Sequence, residues 1–361
     1  MKRQLLGILL LMTGKFSGAQ DSTIQKESFN WLLFADTYYC FDFNKPIGNE
    51  RPSFIYNHKR HDEPNINLLL SKASWQGYNL RANLGLMAGN YSSYNLAAEP
   101  ALLRHFFEAN FGFRLSKKKD WWLDAGILPS HIGFESAISA NNSTLTRSMA
   151  ADNSPYYETG IKITHTTADK RLQFSGLLLN GWQRIKRAPG NKSISAGTQV
   201  TWMPNNKVTV NWSTFWGNDK PDTARQTRFF NNLYGIFSLH EKWNLILGFD
   251  IGWQDKPRQP GHDTWMTPVC VVQYKVSDKW SIAARGEYFS DKKYVIIHPA
   301  IPNSAFAVSG FSLNIDRRLG NTFVWRTEYR TLTSQEAVFV KNNHPVKTNT
   351  AITTAICFKF E

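Results

Sequence analysis

Residues 242–255 read KWNLILGFDIGWQD. Counting by twos from Trp243 gives Trp243, Leu245, Leu247, Phe249, Ile251 and Trp253 on one parity, against Asn244, Ile246, Gly248, Asp250, Gly252 and Gln254 on the other. Successive side chains of a strand point to opposite faces, so the stretch predicts a β-strand with one apolar face bracketed by tryptophans and one largely polar face. A soluble antiparallel sheet alternates in the same way, and alternation alone leaves open which solvent each face meets. The terminal tryptophans separate the cases. Ten residues rising about 3.3 Å each and tilted about 40° span roughly 25 Å, the height of the lipid-facing band of a membrane-crossing barrel, and tryptophan favours both borders of a bilayer.

The 361 residues, 42% hydrophobic and 14% aromatic, suffice for one large barrel or two ordinary domains. No run of eighteen apolar residues occurs, which argues against membrane-spanning helices and leaves a barrel open, since its strands need only half their residues to be apolar. Met1, Lys2 and Arg3 form a basic start, QLLGILLLM at 4–12 an apolar stretch too short to span a bilayer, and Ser17, Gly18 and Ala19 a small-residue cleavage site. That order predicts a secretory signal peptide over 1–19 and a mature barrel over 20–361. Removing Lys2, Arg3 and Lys15 lowers the formal charge from +14 to +11, a surplus that suits lipid head groups or an anion-favouring lumen. Cys40, Cys270 and Cys357 are odd in number and far apart, so they form neither a metal-ligand spacing nor a disulfide framework, and read as small apolar strand residues.

Sixteen strands are predicted, centred on 28–43, 64–73, 78–91, 102–115, 121–130, 156–166, 170–182, 194–203, 207–217, 226–239, 242–254, 263–276, 279–290, 305–318, 321–333 and 348–360. After the even strands from the fourth to the fourteenth the links are tight turns, among them SKKKD at 116–120, PNNK at 204–207 and SDK at 277–279. After odd strands they are long and polar. Such segregation is the topology of an outer-membrane up-and-down barrel, and a β-sandwich gives no reason for it. The two-residue parity recurs: Phe323, Trp325 and Tyr329 oppose Arg326, Glu328 and Arg330, while Trp280, Ile282 and Tyr288 oppose Arg285 and Glu287. Unpaired charges in a packed core would cost several kcal/mol each, so the polar side is expected to be a water-filled lumen lined by Arg285, Glu287, Arg326, Glu328 and Arg330. Trp243, Trp253, Trp280 and Tyr288 are expected at the membrane interfaces.

The longest connection, 131–155, reads HIGFESAISANNSTLTRSMAADNSP. Folded inward, it would set Glu135 and Arg147 at a constriction, where opposed charges create a transverse field. Residues 124–163, with Gly126, Pro129, Ser130, Gly133, Glu135, Asn142, Arg147, Ser148 and the Pro155-Tyr156-Tyr157-Glu158-Thr159-Gly160 run, resemble the signature of the OmpL-like β-barrel porin family of Gram-negative envelopes. The LLLNGWQ run at 177–183 fits as well. The resemblance implies a cell outer-membrane barrel with channel activity and no defined solute. The chain ends Phe358-Lys359-Phe360-Glu361, so the terminal aromatic that the barrel-assembly machinery reads is displaced by one residue.

Other chemistries fit less well. His131 with Ser130 or Ser136 lacks the surroundings of a phospholipase serine, so no enzyme and no cofactor is expected. His58 and His61, three apart with Asp62 and Glu63 adjacent, read as a solvated polar loop and not a metal site. The aromatics lie on the apolar parity and the basic residues elsewhere, which removes the stacking platform that nucleic-acid binding needs. The expected function is passive diffusion of small hydrophilic solutes, with outer-membrane lipids as partners and homo-oligomers compatible with it. The alternative is a barrel whose external loops bind a surface ligand or partner and that conducts little.

Overall fold

The computed structural model describes residues 27–302 and 304–361; the expected signal peptide, 1–19, lies outside them. The barrel strands are β1 (Ser28–Asp42), β2 (Pro64–Gln76), β3 (Leu80–Ala88), β4 (Phe106–Arg114), β5 (Asp120–Pro129), β6 (Tyr157–Thr166), β7 (Leu172–Leu179), β8 (Ser195–Asn205), β9 (Val208–Asn218), β10 (Thr227–His240), β11 (Trp243–Asp255), β12 (His262–Lys275), β13 (Trp280–Asp291), β14 (Phe306–Leu319) and β15 (Phe323–Ser334). A hairpin of β16 (Phe339–Lys341) and β17 (His344–Val346) precedes the last barrel strand, β18 (Thr348–Phe360). Each barrel strand pairs antiparallel with its sequence neighbours, and β1 closes the ring on β18 from Leu33 opposite Phe360 to Asp42 opposite Ala351. The fold is the all-β, sixteen-stranded up-and-down barrel that the sequence pattern predicts, with short turns gathered at one end and long loops at the other.

Side-chain parity decides which face meets what. On β11 the tryptophan face points out, with Trp243 45% exposed and Leu247 and Phe249 exposed beside it, while Asp250, Gly252 and Gln254 are buried. The outer aromatics touch across strands: Trp253 against Phe229 at 4.7 Å between ring centres, Trp243 against Tyr274 at 4.5 Å, and Trp280 edge-on to Trp325 at 6.3 Å. Aromatic rings with one apolar and one polar side fit the borders of a lipid belt. Trp280 is exposed, and Tyr288, on the same outward parity, is half-buried.

The interior differs from the wet lumen that the charge pattern predicts. The inner faces of β1–β3 carry Leu32, Phe34, Leu68, Leu70 and Met87, all buried against Tyr91, Leu96, Ile138 and Leu145. Nearer the long-loop end, Phe54, Ile55, Met149, Phe215, Phe230, Trp265, Phe289 and Phe306 form a second apolar cluster inside the ring. Loop segments occupy these parts of the barrel.

Candidate functional site

Two long connections turn back into the barrel. The longer, 130–156, begins where β5 ends. At Gly126 the backbone takes φ 127°, and a Cβ there would fall 2.2 Å from the Ala109 carbonyl, so only glycine lets β5 lie this close to β4. Ser130 N donates to Tyr156 O at 3.1 Å and closes the base of the loop. His131 is held at both ring nitrogens, by the Glu158 carboxylate at 2.7 Å and the Thr214 carbonyl at 2.8 Å, and neither nitrogen faces Ser130 or Ser136.

Within the loop, the residues of the 124–163 signature bond mainly to one another. Asn142 accepts from Ser136 N and donates to Ser136 O, both at 2.8 Å. Glu135 accepts from Ser148 N at 3.0 Å and from the Ser148 hydroxyl, which in turn caps the short helix Met149–Asp152 by accepting from Ala151 N at 3.2 Å. Arg147, fully buried, donates to the carbonyls of Ala137 and Leu145. It is a clamp inside the loop and does not stand across open water from Glu135, so the opposed-charge constriction expected of this pair is absent in this conformation.

The loop docks on the inner faces of β13–β15. Arg285 donates to Glu328 Oε1 at 2.8 Å, to Thr144 Oγ1 at 2.9 Å and to Thr146 O at 2.6 Å, and stands 3.8 Å from Glu135. Glu328 and Glu287 accept from the loop's backbone, from Thr146 N and Met149 N, each at 2.6 Å. Arg330 donates to Glu287 Oε1 at 2.6 Å. Arg326 forks onto Asp316 at 2.7 and 2.8 Å and reaches Ser139 O at 2.5 Å and Asn142 O at 2.9 Å. Three arginines, Arg285, Arg326 and Arg330, thus meet four carboxylates, Glu135, Glu287, Asp316 and Glu328, while Arg147 is held by carbonyls. Buried ions persist when paired and hydrogen-bonded in this way. The five wall residues expected to meet water are instead at most 6% exposed; the assumption that failed was that nothing would come in to pair with them.

Burial also acts on the loop's own acids. It raises the Glu135 carboxyl above its ordinary range, against the nearby Arg285, and pushes Asp152 up to about 6, opposed by the hydrogen bond that Asn57 Nδ2 donates to it at 2.6 Å.

The shorter inward segment, 43–63, runs differently from its sequence reading. His58 and His61 are buried and not solvated: His58 Nε2 lies 3.1 Å from Asp36 Oδ2, and His61 Nδ1 accepts from Asp42 N at 2.9 Å. A β-bulge at Asp36/Thr37 leaves Asn67 as the extra residue of β2, and its amide oxygen accepts from His58 N at 2.8 Å. Asp36 also accepts from Ser139 Oγ at 2.7 Å, which ties the two inward loops to one carboxylate. Sequence reasoning missed this group; Asp36, between Phe34 and Tyr38 on the inner parity of β1, is the signal that marks it. Among the described residues no group of three or more His, Cys, Asp or Glu side chains could hold a metal ion. The three cysteines are free, Cys40 and Cys357 inside the barrel and Cys270 on its outer face.

Open space remains at the short-turn end. A cavity of about 850 Å³ is lined by Asn142, Asn244, Gln273, Lys275, Asp316, Arg318 and Lys359 among others. A further cavity of about 250 Å³, reaching Phe134, Glu135 and Thr144, shares Asn142, Asn244 and Gln273 with it. The two cavities thus adjoin at these three side chains, one facing the short turns and the other ending at Glu135 beside the inward loop.

A closed antiparallel ring of sixteen strands with an apolar outer belt and a long loop folded inside defines a porin-like barrel. The sequence profile described as "Putative beta-barrel porin-2, OmpL-like" matches residues 28–360, and the chain belongs to that family. No curated protein matches it by sequence. Among solved structures it is similar to the anion-selective porin from Comamonas acidovorans, at 9% identity and TM-score 0.60 over 93% of this chain and 100% of that one. It is similar, too, to the outer membrane channel DcaP of Acinetobacter baumannii, at 8% identity and TM-score 0.62 over 96% and 100%. The trimer form of OmpT, an outer membrane protein of Vibrio cholerae, aligns at 10% identity and TM-score 0.60 over 92% and 99%. At such identities the likeness is one of fold.

Proposed function

We propose that the protein resides in the cell outer membrane and lets small hydrophilic solutes diffuse passively along its interior, without covalent chemistry. The observation that supports this reading is the pair of adjoining cavities that reach from the short-turn end to Glu135 beside the inward loop. In it, Glu135, Arg285, Glu287, Arg326, Glu328 and Arg330 form the ionic frame that sets the loop's position beside the route, and Arg147 keeps the loop folded. Outer-membrane lipids contact the aromatic borders at Trp243, Trp253, Trp280 and Tyr288, and the assembly machinery reads Phe358 and Phe360. Homo-oligomers are compatible with the trimer form named for the Vibrio protein. Purified protein in planar bilayers should give discrete conductance steps, and sugar-loaded liposomes carrying it should swell. Protein that inserts yet gives neither signal contradicts the proposal.

A second reading, a barrel whose external loops bind a ligand or partner and that conducts little, is favoured by the apolar cluster around Phe54, Phe230 and Phe306 that fills the long-loop end. Step size decides between the two readings.

A further inference from the structure

A separate concavity of about 260 Å³ opens at the long-loop end, between the inward segment 43–63, the β16–β17 hairpin and the ends of β1 and β18. Arg51 lines it. The residue is fixed by its backbone N donating to Lys59 O at 3.0 Å, and its side chain is buried, the whole residue being 2% exposed. Even so, Nε and Nη1 of the guanidinium, both buried, have no hydrogen-bond partner among the described residues, where Arg147, Arg285 and Arg330 each leave only one buried nitrogen unpaired. The nearest carboxylate, Asp42, stands 4.0 Å from Nε. Its oxygens are already taken, by Asn349 Nδ2 at 2.8 and 2.9 Å and by Asn44 N at 2.9 Å. The other carboxylate on the cavity wall, Glu50, is held by Arg60 at 3.2 Å.

Leaving a buried guanidinium without an acceptor costs several kcal/mol, and the other buried arginines of this barrel each donate to a carboxylate, a carbonyl or an amide oxygen. Arg51 departs from that rule, and it does so on the wall of a cavity. On the remaining walls Phe54, Val338 and Phe339 present apolar surface, Asn44, Asn343 and Asn349 are amides, and Lys45 is a second cation. A small anion with an apolar body satisfies both halves at once, its oxygens taking the charge-assisted hydrogen bonds that Arg51 offers and its body covering the rings.

We propose that this pocket is a binding site for small organic carboxylates, with Arg51 as the anion-binding residue and Phe54 and Phe339 as the wall for the ligand's apolar part. The proposal goes beyond the diffusion reading and does not depend on conduction.

The test uses purified full-length protein in detergent and titration calorimetry with benzoate, with benzamide as its neutral counterpart. Benzoate should bind saturably and benzamide should not. Arg51→Met should weaken benzoate at least tenfold, and Val340→Trp, which fills the cavity from the hairpin while leaving Arg51 in place, should abolish binding in a barrel that keeps its heat-dependent shift on gels. Equal binding of the two probes, undiminished binding by Arg51→Met, or no benzoate binding to the unaltered protein would each overturn the proposal, the last meaning that water alone serves the guanidinium. Protein that conducts but does not bind benzoate refutes this site and leaves the diffusion reading standing; the reverse pattern does the opposite.

Discussion

The inward loop 130–156 touches two walls of the barrel, and the walls hold it by different means. On the side of β1–β3 its Ile138 and Leu145 join one apolar cluster with Phe34, Leu68, Leu70 and Met87, with the Ser139 hydroxyl on Asp36 as a polar link. Against β13–β15 it gives backbone N–H groups to Glu287 and Glu328 and takes donors from Arg285 and Arg326. Apolar burial is non-directional and tolerates sliding, whereas a hydrogen-bonded ion pair fixes register and becomes costly when half of it is removed. The apolar wall therefore supplies adhesion and the ionic wall supplies position. On the proposed reading, a passage narrowed by a loop in one defined place needs both.

Removing one half of the ionic wall should produce the largest effect. Arg285→Leu leaves Glu328 without its arginine and should cost about 3–5 kcal/mol of loop docking, seen as larger and noisier conductance steps. Arg285→Lys, which restores the charge without the planar set of donors, should recover only part of that loss. On the apolar wall, Leu145→Ala should cost about 3 kcal/mol by opening a cavity at a fully buried position, with the same direction of change in conductance. If the leucine variant proves more disruptive than the arginine one, the division of labour between the walls is reversed.

A third, smaller effect depends on pH. Asp152 ionises near 3.8 when free and at about 6 in the docked loop. Its neutral form thus favours docking, fully so below about pH 4, and that contribution, about 3 kcal/mol at most, is lost as pH rises through about 6. Conductance should rise between mildly acidic and neutral pH, and Asp152→Asn, which stays neutral and can still accept from Asn57, should flatten the profile. A pH response that survives in the asparagine variant assigns it to another group. The smallest change belongs to Ile138→Val, about 1 kcal/mol, with the conductance steps unchanged in size.

The fold was legible because a two-residue period reports directly on the two faces of each strand. The alternation from Trp243 to Trp253, repeated strand by strand with short and long links in turn, leaves little freedom for another all-β arrangement. The β16–β17 hairpin escaped notice although Asn342 and Asn343, at φ 48° and 65°, are the left-handed residues that such a turn demands. The candidate site was only half legible. Parity located Arg285, Glu287, Arg326, Glu328 and Arg330 on the inner face, but their surroundings depend on which loops fold inward, a long-range choice that local pattern does not carry. Arg147 shows the same limit: its charge was visible in the sequence, whereas its partners are carbonyls of its own loop. The Phe54-Ile55 pair within a polar connection is the one local sign that segment 43–63 also turns in.

The most direct test compares the conductance of single channels formed by the intact protein with that of a chain lacking residues 136–146. Small discrete steps are expected from the first and steps several times larger from the second in the same salt. Identical step sizes would contradict that expectation, because the loop would then not be what limits the passage.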